Sequence, residues 1–294
     1  MSRRQSRNAW FFLAFPLTII VVFTALPSLA GIVMSFFEWS GGGSPRFIGL
    51  ENYRALNAAG PFWPALRNTL AFAIVTVPIT VGGAFLIAAA LNAEWFRGRT
   101  TLRTILFIPT IVSIVAIGFI WRWVLDPSPA GLLNHVLEWV GLQREVLPDW
   151  LGHSPWGLAT IMAVSIWRGL GFCVVLYLAA LGGVPRSMYD AAAVDGATSW
   201  QTLWHITWPG VRPMSFFLLI TGMIGALQVF DIILVMIGTN ATGWTDVLNL
   251  YLYREFTLNR LGYASALGVV ILLLTIVITA IQWRSMSRSA EEGT

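Results

Sequence analysis

The chain has 294 residues, 56% of them hydrophobic and 11% charged, with a mean hydropathy of +0.71, more apolar surface than one soluble core of this length can hide. All 18 basic residues are arginine, which excludes P-loop, Schiff-base and kinase-type lysine chemistry; the formal charge of +4 comes from arginines scattered at the ends of apolar runs, not from a nucleic-acid-binding stripe. The single cysteine, Cys173, lies in an apolar run and reads as a buried inert thiol, and His135, His153 and His205 fall in separate segments without metal-pair spacing, so neither a disulfide framework nor a metal site is expected.

Crossing about 30 Å of hydrocarbon takes about 20 apolar residues as a helix. Six stretches reach that length: 10–37, 68–91, 102–125, 156–181, 214–237 and 263–283. They are continuous apolar runs, not the short alternating segments of a barrel, so the expected fold is all-α and integral to the membrane, with six transmembrane helices in one domain, 1–294. The first run starts from Arg3, Arg4 and Arg7 and continues past Ser28-Leu29-Ala30, which favours a retained span over a cleaved signal peptide.

Placing both termini in the cytoplasm puts Arg3, Arg4, Arg7, Arg97, Arg99, Arg103, Arg186, Arg212, Arg284 and Arg288 inside, ten of the eighteen arginines. Trp10, Trp95 and Trp283 then fall at the inner interface, and Trp39, Trp63, Trp121, Trp123, Trp156 and Trp244 at the outer one. The external segments are 38–67, 126–155 and 238–262. The second contains GLLNHVLEWVGL, whose apolar spacing predicts a short helix on the membrane surface, and the third has a turn-rich tip at 239–243.

On the inner side the one substantial feature is YDAAAVDGATSWQTLWHITWPGVRP, 189–213. Residues 188–194 are alanine-rich and helix-forming, Gly196 permits a sharp turn, and Ser199 is the expected N-cap of a second helix reaching about His205. Trp200, Leu203, Trp204 and Ile206 or Thr207 give that helix an aromatic face, and Pro209 and Pro213 are expected to stop it. Periodicity fits equally a hairpin lying on lipid and one gripping a protein. Asp190 and Asp195 argue against the lipid, since an inner-leaflet helix should be rich in basic residues.

This stretch resembles the EAA loop of the membrane subunits of binding-protein-dependent ABC importers, matched by Asp190, Ala191, Ala192, Gly196, Ile206 and Pro209. Asp195-Gly196-Ala197 and Trp200 make it look most like the carbohydrate-importer branch, the maltose and glycerol-phosphate type. Asp190 stands where that family usually has Glu, and Trp208 replaces the usual Leu. Phe47 to Tyr53, Gly131-Leu132-Leu133-Asn134 and Gly262 to Ala266 resemble further elements of the same family, in the same order along the chain.

The resemblance implies a type I ABC importer permease fold and a non-enzymatic subunit that moves a sugar or related polyol. It implies coupling to a separate ATP-binding subunit dimer through Asp190, Ala191, Ala192, Gly196, Trp200, Leu203, Trp204, Ile206 and Pro209. No cofactor is expected on this chain, ATP-Mg belonging to the partner ATPase; the other implied partners are a second homologous permease subunit, an external solute-binding protein and the lipid bilayer, with no nucleic acid. The implied location is the bacterial cytoplasmic membrane. The substrate path would run past Ser165, Arg168, Gly169 and Phe172 in the fourth span and Gly222 and Ala226 in the fifth, with Gln228 as a possible polar substitute. Arg168 and Asp231 are the two ionisable groups that lie clearly inside spans, away from their ends, and each needs a partner or a wet cavity. Two readings stand: Arg168 bonds substrate, or Arg168 pairs with Asp231 or with the second subunit. A stand-alone secondary transporter would require ion relays, and a membrane enzyme would require clustered catalytic side chains; the scattered carboxylates supply neither.

Overall fold

The computed structural model describes residues 3–58, 60–93, 98–128, 131–143, 147–152, 155–239, 241 and 243–291. Trp95, Arg97, Arg144 and His153 lie outside the described residues, as do Asn240 and Thr242 of the expected turn tip. The chain forms two compact units, residues 1–62 with 251–274, and 63–250 with 275–294. Among the described residues, five helices are long and apolar enough to cross a membrane, and a bent pair counts as a sixth if it is one span.

In the first unit, α1 (Arg3–Ile20) runs through a π-helical turn, Val21–Ala25, into α2 (Leu26–Met34). Among the described residues, none of the apolar window within Phe12–Met34 is buried. A hairpin of β1 (Phe37–Glu38) and β2 (Arg46–Phe47) follows, closed by an Arg46–Glu38 ion pair, and leads to α3 (Glu51–Ala58). The resemblance elements of this unit are architectural. Buried Asn52 donates to the carbonyls of Ser35 and Phe37 at 2.8 and 3.0 Å, and the Tyr53 and Ser35 hydroxyls share a bond of 2.6 Å. A Cβ on Gly262 would sit 1.9 Å from the Phe37 carbonyl oxygen, so only glycine fits there.

The second unit is built on α4 (Phe62–Asn92) and α8 (Pro155–Leu181), close to the expected second and fourth spans. The expected third span, 102–125, is not one rod. It is α5 (Arg99–Ile111) and α6 (Ile114–Val124), bent by 98° at extended Val112 and Ser113 just beyond Pro109. Each half has its own partner. Gly171 of α8 lets α5 approach until a Cβ would lie 2.0 Å from the Leu106 carbonyl, and Gly118 of α6 lies against Val235 of α12 (Asp231–Ile237).

The fifth span is also corrected. Residues 214–237 are not continuous: α11 (Trp208–Leu227) ends at Gln228, and α12 starts at Asp231, where an acidic side chain suits the free N–H groups of a helix start. At its other end the expected proline stop is absent, because α10 (Ser199–Thr202) runs through a π-helical turn, Leu203–Thr207, straight into α11. Both π turns stand one residue before a Leu-Pro or Trp-Pro step, at Pro27 and Pro209. A proline lacks an N–H and crowds the carbonyl four residues back; widening to a bond of five-residue span, Leu26 N–H to Val21 O and Trp208 N–H to Leu203 O, carries the helix past it.

In the segment 126–155 the expected short helix is present as α7 (Leu132–Trp139), with Leu132, Val136 and Trp139 exposed along one side. It is fixed by Gly131, whose Cβ would meet the Asp126 carbonyl at 1.9 Å, and by Asn134, buried and accepting from Trp150 Nε1 at 2.7 Å. Asp126 accepts the Ser128 N–H at 2.7 Å, and its hydrogen bonds with Ser128 hold its carboxyl below the usual carboxylate range. Beyond α12, α13 (Leu248–Thr257) precedes the last helix, α14 (Leu261–Glu291).

Candidate functional site: the inter-helix hairpin

The segment between α8 and α11 folds as the sequence predicts in outline and differs at its joints. Helix α9 (Arg186–Val194) ends at Gly196, whose φ is +71°. The N–H of Ala197 reaches the Ala192 carbonyl at 2.9 Å and that of Gly196 reaches Ala193 at 3.2 Å, the paired bonds of a left-handed C-terminal cap. The second helix is capped by Thr198, not Ser199. Thr198 has extended backbone; its hydroxyl accepts from the Gln201 N–H at 3.3 Å and its own N–H donates to Gln201 Oε1 at 2.8 Å. That reciprocal pair is a capping box, and Thr-x-x-Gln at 198–201 was the sequence signal for it.

The hairpin presents Asp190, Ala191 and Gly196 to solvent, while Ala192 is buried. Leu203 and Ile206 are half-buried, and Pro209 is exposed at the first turn of α11. Exposed apolar side chains stand out: Val194 is 88% exposed, Trp200 65% and Met188 46%. Val194 and Met188 were read from sequence only as helix formers; their position beside the acidic-Ala-Ala segment was the signal that they belong to the surface. The two limbs are joined by the Tyr189 and Thr207 hydroxyls at 3.4 Å. A cleft of ≈ 1040 Å³ opens beside the hairpin, lined among others by Asn92, Arg99, Arg186, Tyr189, Asp190 and Trp200.

Trp208 turns inward. Its ring centroid lies 5.1 Å from Phe85 of α4 and 6.0 Å from Trp204, so this departure from the family pattern is accommodated inside the chain.

The mid-span candidates divide into two groups. On α8, Ser165, Arg168, Gly169 and Phe172 recur at helical spacing; Phe172 is exposed and the other three half-buried. A Cβ on Gly169 would lie 3.1 Å from Thr80 and one on Gly222 would lie 3.1 Å from Val77, so both glycines, like buried Ala226, sit where α8 and α11 close on other helices or the chain interior. Arg168 has a buried Nε without a hydrogen-bond partner, and its backbone carbonyl accepts from Thr110 at 3.2 Å. Asp231 is exposed beside Gln228 at the break between α11 and α12. Among the described residues, no ion pair joins Arg168 to Asp231. Nor do three His, Cys, Asp or Glu side chains gather to hold a metal among them.

Long apolar helices carrying a well-capped hairpin with an apolar exposed surface define an integral membrane protein with an uncovered apolar element between two of its helices. The chain belongs to the family of binding-protein-dependent transport system inner membrane components, whose model matches residues 82–285. The lactose transport system permease protein LacF of Rhizobium radiobacter is 33% identical, covering 96% of this chain and 95% of its own. The diacetylchitobiose uptake system permease protein NgcF of Streptomyces coelicolor is 33% identical over 92% of this chain and 80% of its own. A chain from the crystal structure of a bacterial alginate ABC transporter, in complex with an alginate pentasaccharide-bound periplasmic protein, superposes with a TM-score of 0.85. It is 26% identical, with 98% of this chain and 96% of that chain covered. The type I ABC importer permease fold is therefore established. The chain is a non-enzymatic permease of an ABC importer, and ATP hydrolysis belongs to a partner ATPase.

Proposed function

We propose that this chain forms half of the translocation path of an importer for a carbohydrate or related polyol in a bacterial cytoplasmic membrane, with both termini cytoplasmic. The observation that carries the reading is the hairpin: capped at both inner ends, yet exposing Val194, Trp200 and Met188. Burying one Val or Met side chain stabilises by about 1.5–3 kcal/mol, so a protein surface that covers this patch gains several such terms. The occupant is an ATP-binding subunit dimer, which also holds the ATP-Mg; Asp190, Ala191, Ala192, Gly196, Trp200, Leu203, Trp204, Ile206 and Pro209 build the contacting element.

The unburied first span supports a second, homologous permease as the surface it packs on. The sugars named for the relatives support the substrate class. Selection among sugars then rests with an external solute-binding protein that docks on the segments 38–67 and 126–155. Within the path, Ser165, Arg168 and Phe172 offer hydroxyl-bonding and stacking groups, with Gln228 near the outer break. The unpartnered Arg168 Nε supports its use toward substrate over a pair with Asp231. The test is affinity purification through a tag on this chain from native membranes: an ATPase subunit and a second permease should be recovered in stoichiometric amounts. Recovery of this chain alone, with uptake driven by an ion gradient and insensitive to ATP depletion, would refute the reading.

A further inference from the structure

One arrangement in the second unit is larger than a docking patch requires. Trp200, Trp204 and Trp208 follow each other at four-residue spacing with centroids 5.5 and 6.0 Å apart. Trp208 then meets Phe85 of α4 at 5.1 Å, and Phe85 meets Tyr177 of α8 at 5.8 Å. Phe85 also touches Trp204 at 6.2 Å, so it is the hub of the series. Exposure falls along it from 65% at Trp200 and 40% at Trp204 to 2% at Phe85 and 0% at Tyr177. At the inner end the Tyr177 hydroxyl donates to Ser215 at 2.8 Å, and Ser215 donates to the Val211 carbonyl at 3.2 Å, tying α8 to α11. The contacts are edge-on or tilted, the arrangement in which aromatic rings attract.

We propose that Phe85, Trp208 and Tyr177 are positioning residues for transport: a side-chain stack that carries displacement of the hairpin into α4, α8 and α11. The proposal rests on the reading of the hairpin as the ATPase contact. Two observations set the direction of load. The outer end of the stack, Trp200, is at the exposed patch, and its inner end is in close-packed interior, which resists compression and passes strain onward. Elsewhere the hairpin borders the cleft of ≈ 1040 Å³, which Tyr189, Ala193 and Leu203 line together with Leu86, Ala89 and Ala90 of α4. A push on the hairpin therefore meets empty volume there and solid contact through the rings. The continuation of α10 into α11 without a break supplies a stiff backbone for the same path.

The experiment uses the complex isolated through a tag on this chain, in a Cys173→Ser background, and asks how fast a water-soluble maleimide labels Gln228→Cys with and without ATP and orthovanadate. Gln228 is exposed at the far end of α11. ATP-vanadate should change the labelling rate; Trp208→Ala and Phe85→Ala should each reduce that response about tenfold, and the double variant should do no worse than either, as contacting pairs do. Trp208→Phe should restore most of it. The ATPase should remain bound in every variant, and thermal shift should verify that the variants are folded. A wild-type response in Trp208→Ala and Phe85→Ala, additive effects in the double variant, or no response in the parent complex overturns the stack while the ATPase contact stands. Failure of the ATPase to co-purify with the parent chain overturns the contact reading itself.

Discussion

Replacing Gly196 separates the two roles the hairpin turn can have. Its φ of +71° lies in the left-handed region, where an L-residue costs about 1–2 kcal/mol. Among the described residues no atom lies within 4 Å of a Cβ built there, so the cost is backbone strain and no clash adds to it. It falls on the two bonds closing α9, from Gly196 to Ala193 and from Ala197 to Ala192. A loss of about 1.4 kcal/mol shifts the local equilibrium tenfold, yet it is small beside the roughly 5–15 kcal/mol of a folded domain, so insertion and yield should survive. Strain predicts a ranking in ATP-driven uptake by proteoliposomes: Gly196→Asn mildest, because Asn tolerates this conformation, then Gly196→Ala, then Gly196→Val with uptake nearly lost. Equal loss in all three would place the partner's surface directly against Gly196, making sterics the cause. Wild-type uptake in Gly196→Val would refute the assignment of this turn to coupling.

Two further outcomes follow from single contacts. Gly171→Ala places a methyl 2.0 Å from the Leu106 backbone oxygen, which cannot step aside as a side chain would, so α5 must part from α8. The melting temperature in detergent should fall, consistent with about 1–3 kcal/mol for overpacking, whereas Gly82→Ala, inside α4 with no described atom within 4 Å, should not lower it; an equal fall in both would contradict the close crossing. Asp126 has a carboxyl held below its ordinary range by Ser128, so its contribution is present above about pH 4 and is lost as acid protonates it. Amide exchange at Ser128 should therefore quicken on acidification beyond the intrinsic pH effect, and Asp126→Ala should abolish that dependence. A profile identical in the two proteins would show that the bond does not stabilise the turn.

The long helices and the hairpin were legible because each rests on local signals: continuous apolar runs, an alanine-rich helix, a glycine at the turn. The breaks were not. Val112-Ser113 and Gln228-Val229-Phe230 contain no glycine or proline, and apolar composition continues across both, so hydropathy reads each pair of helices as one span. What separates them is the partner each half packs on, as Gly118 against Val235 illustrates. Pro209 misled in the opposite direction, since a proline signals a stop and the widened turn at 203–207 removes the need for one. Phe85 gave no signal in an apolar run, because periodicity identifies a face and says nothing of what covers it. Trp208 could be noticed as unusual from sequence, but only its 5.1 Å contact with Phe85 shows that it points into the chain.

The central claim is that the exposed face of the hairpin is covered by the ATPase subunit. With Cys173→Ser as background, a cysteine can be placed by Val194→Cys, at a site 88% exposed, and in a separate protein by Phe47→Cys, 69% exposed in the β2 strand, which the proposed topology puts on the opposite side of the membrane. A short photo-activatable thiol reagent should link Val194→Cys to the ATPase subunit in intact membranes, and Phe47→Cys should not link to it. Capture of lipid alone at position 194, with the ATPase present in the same membranes, would contradict the account.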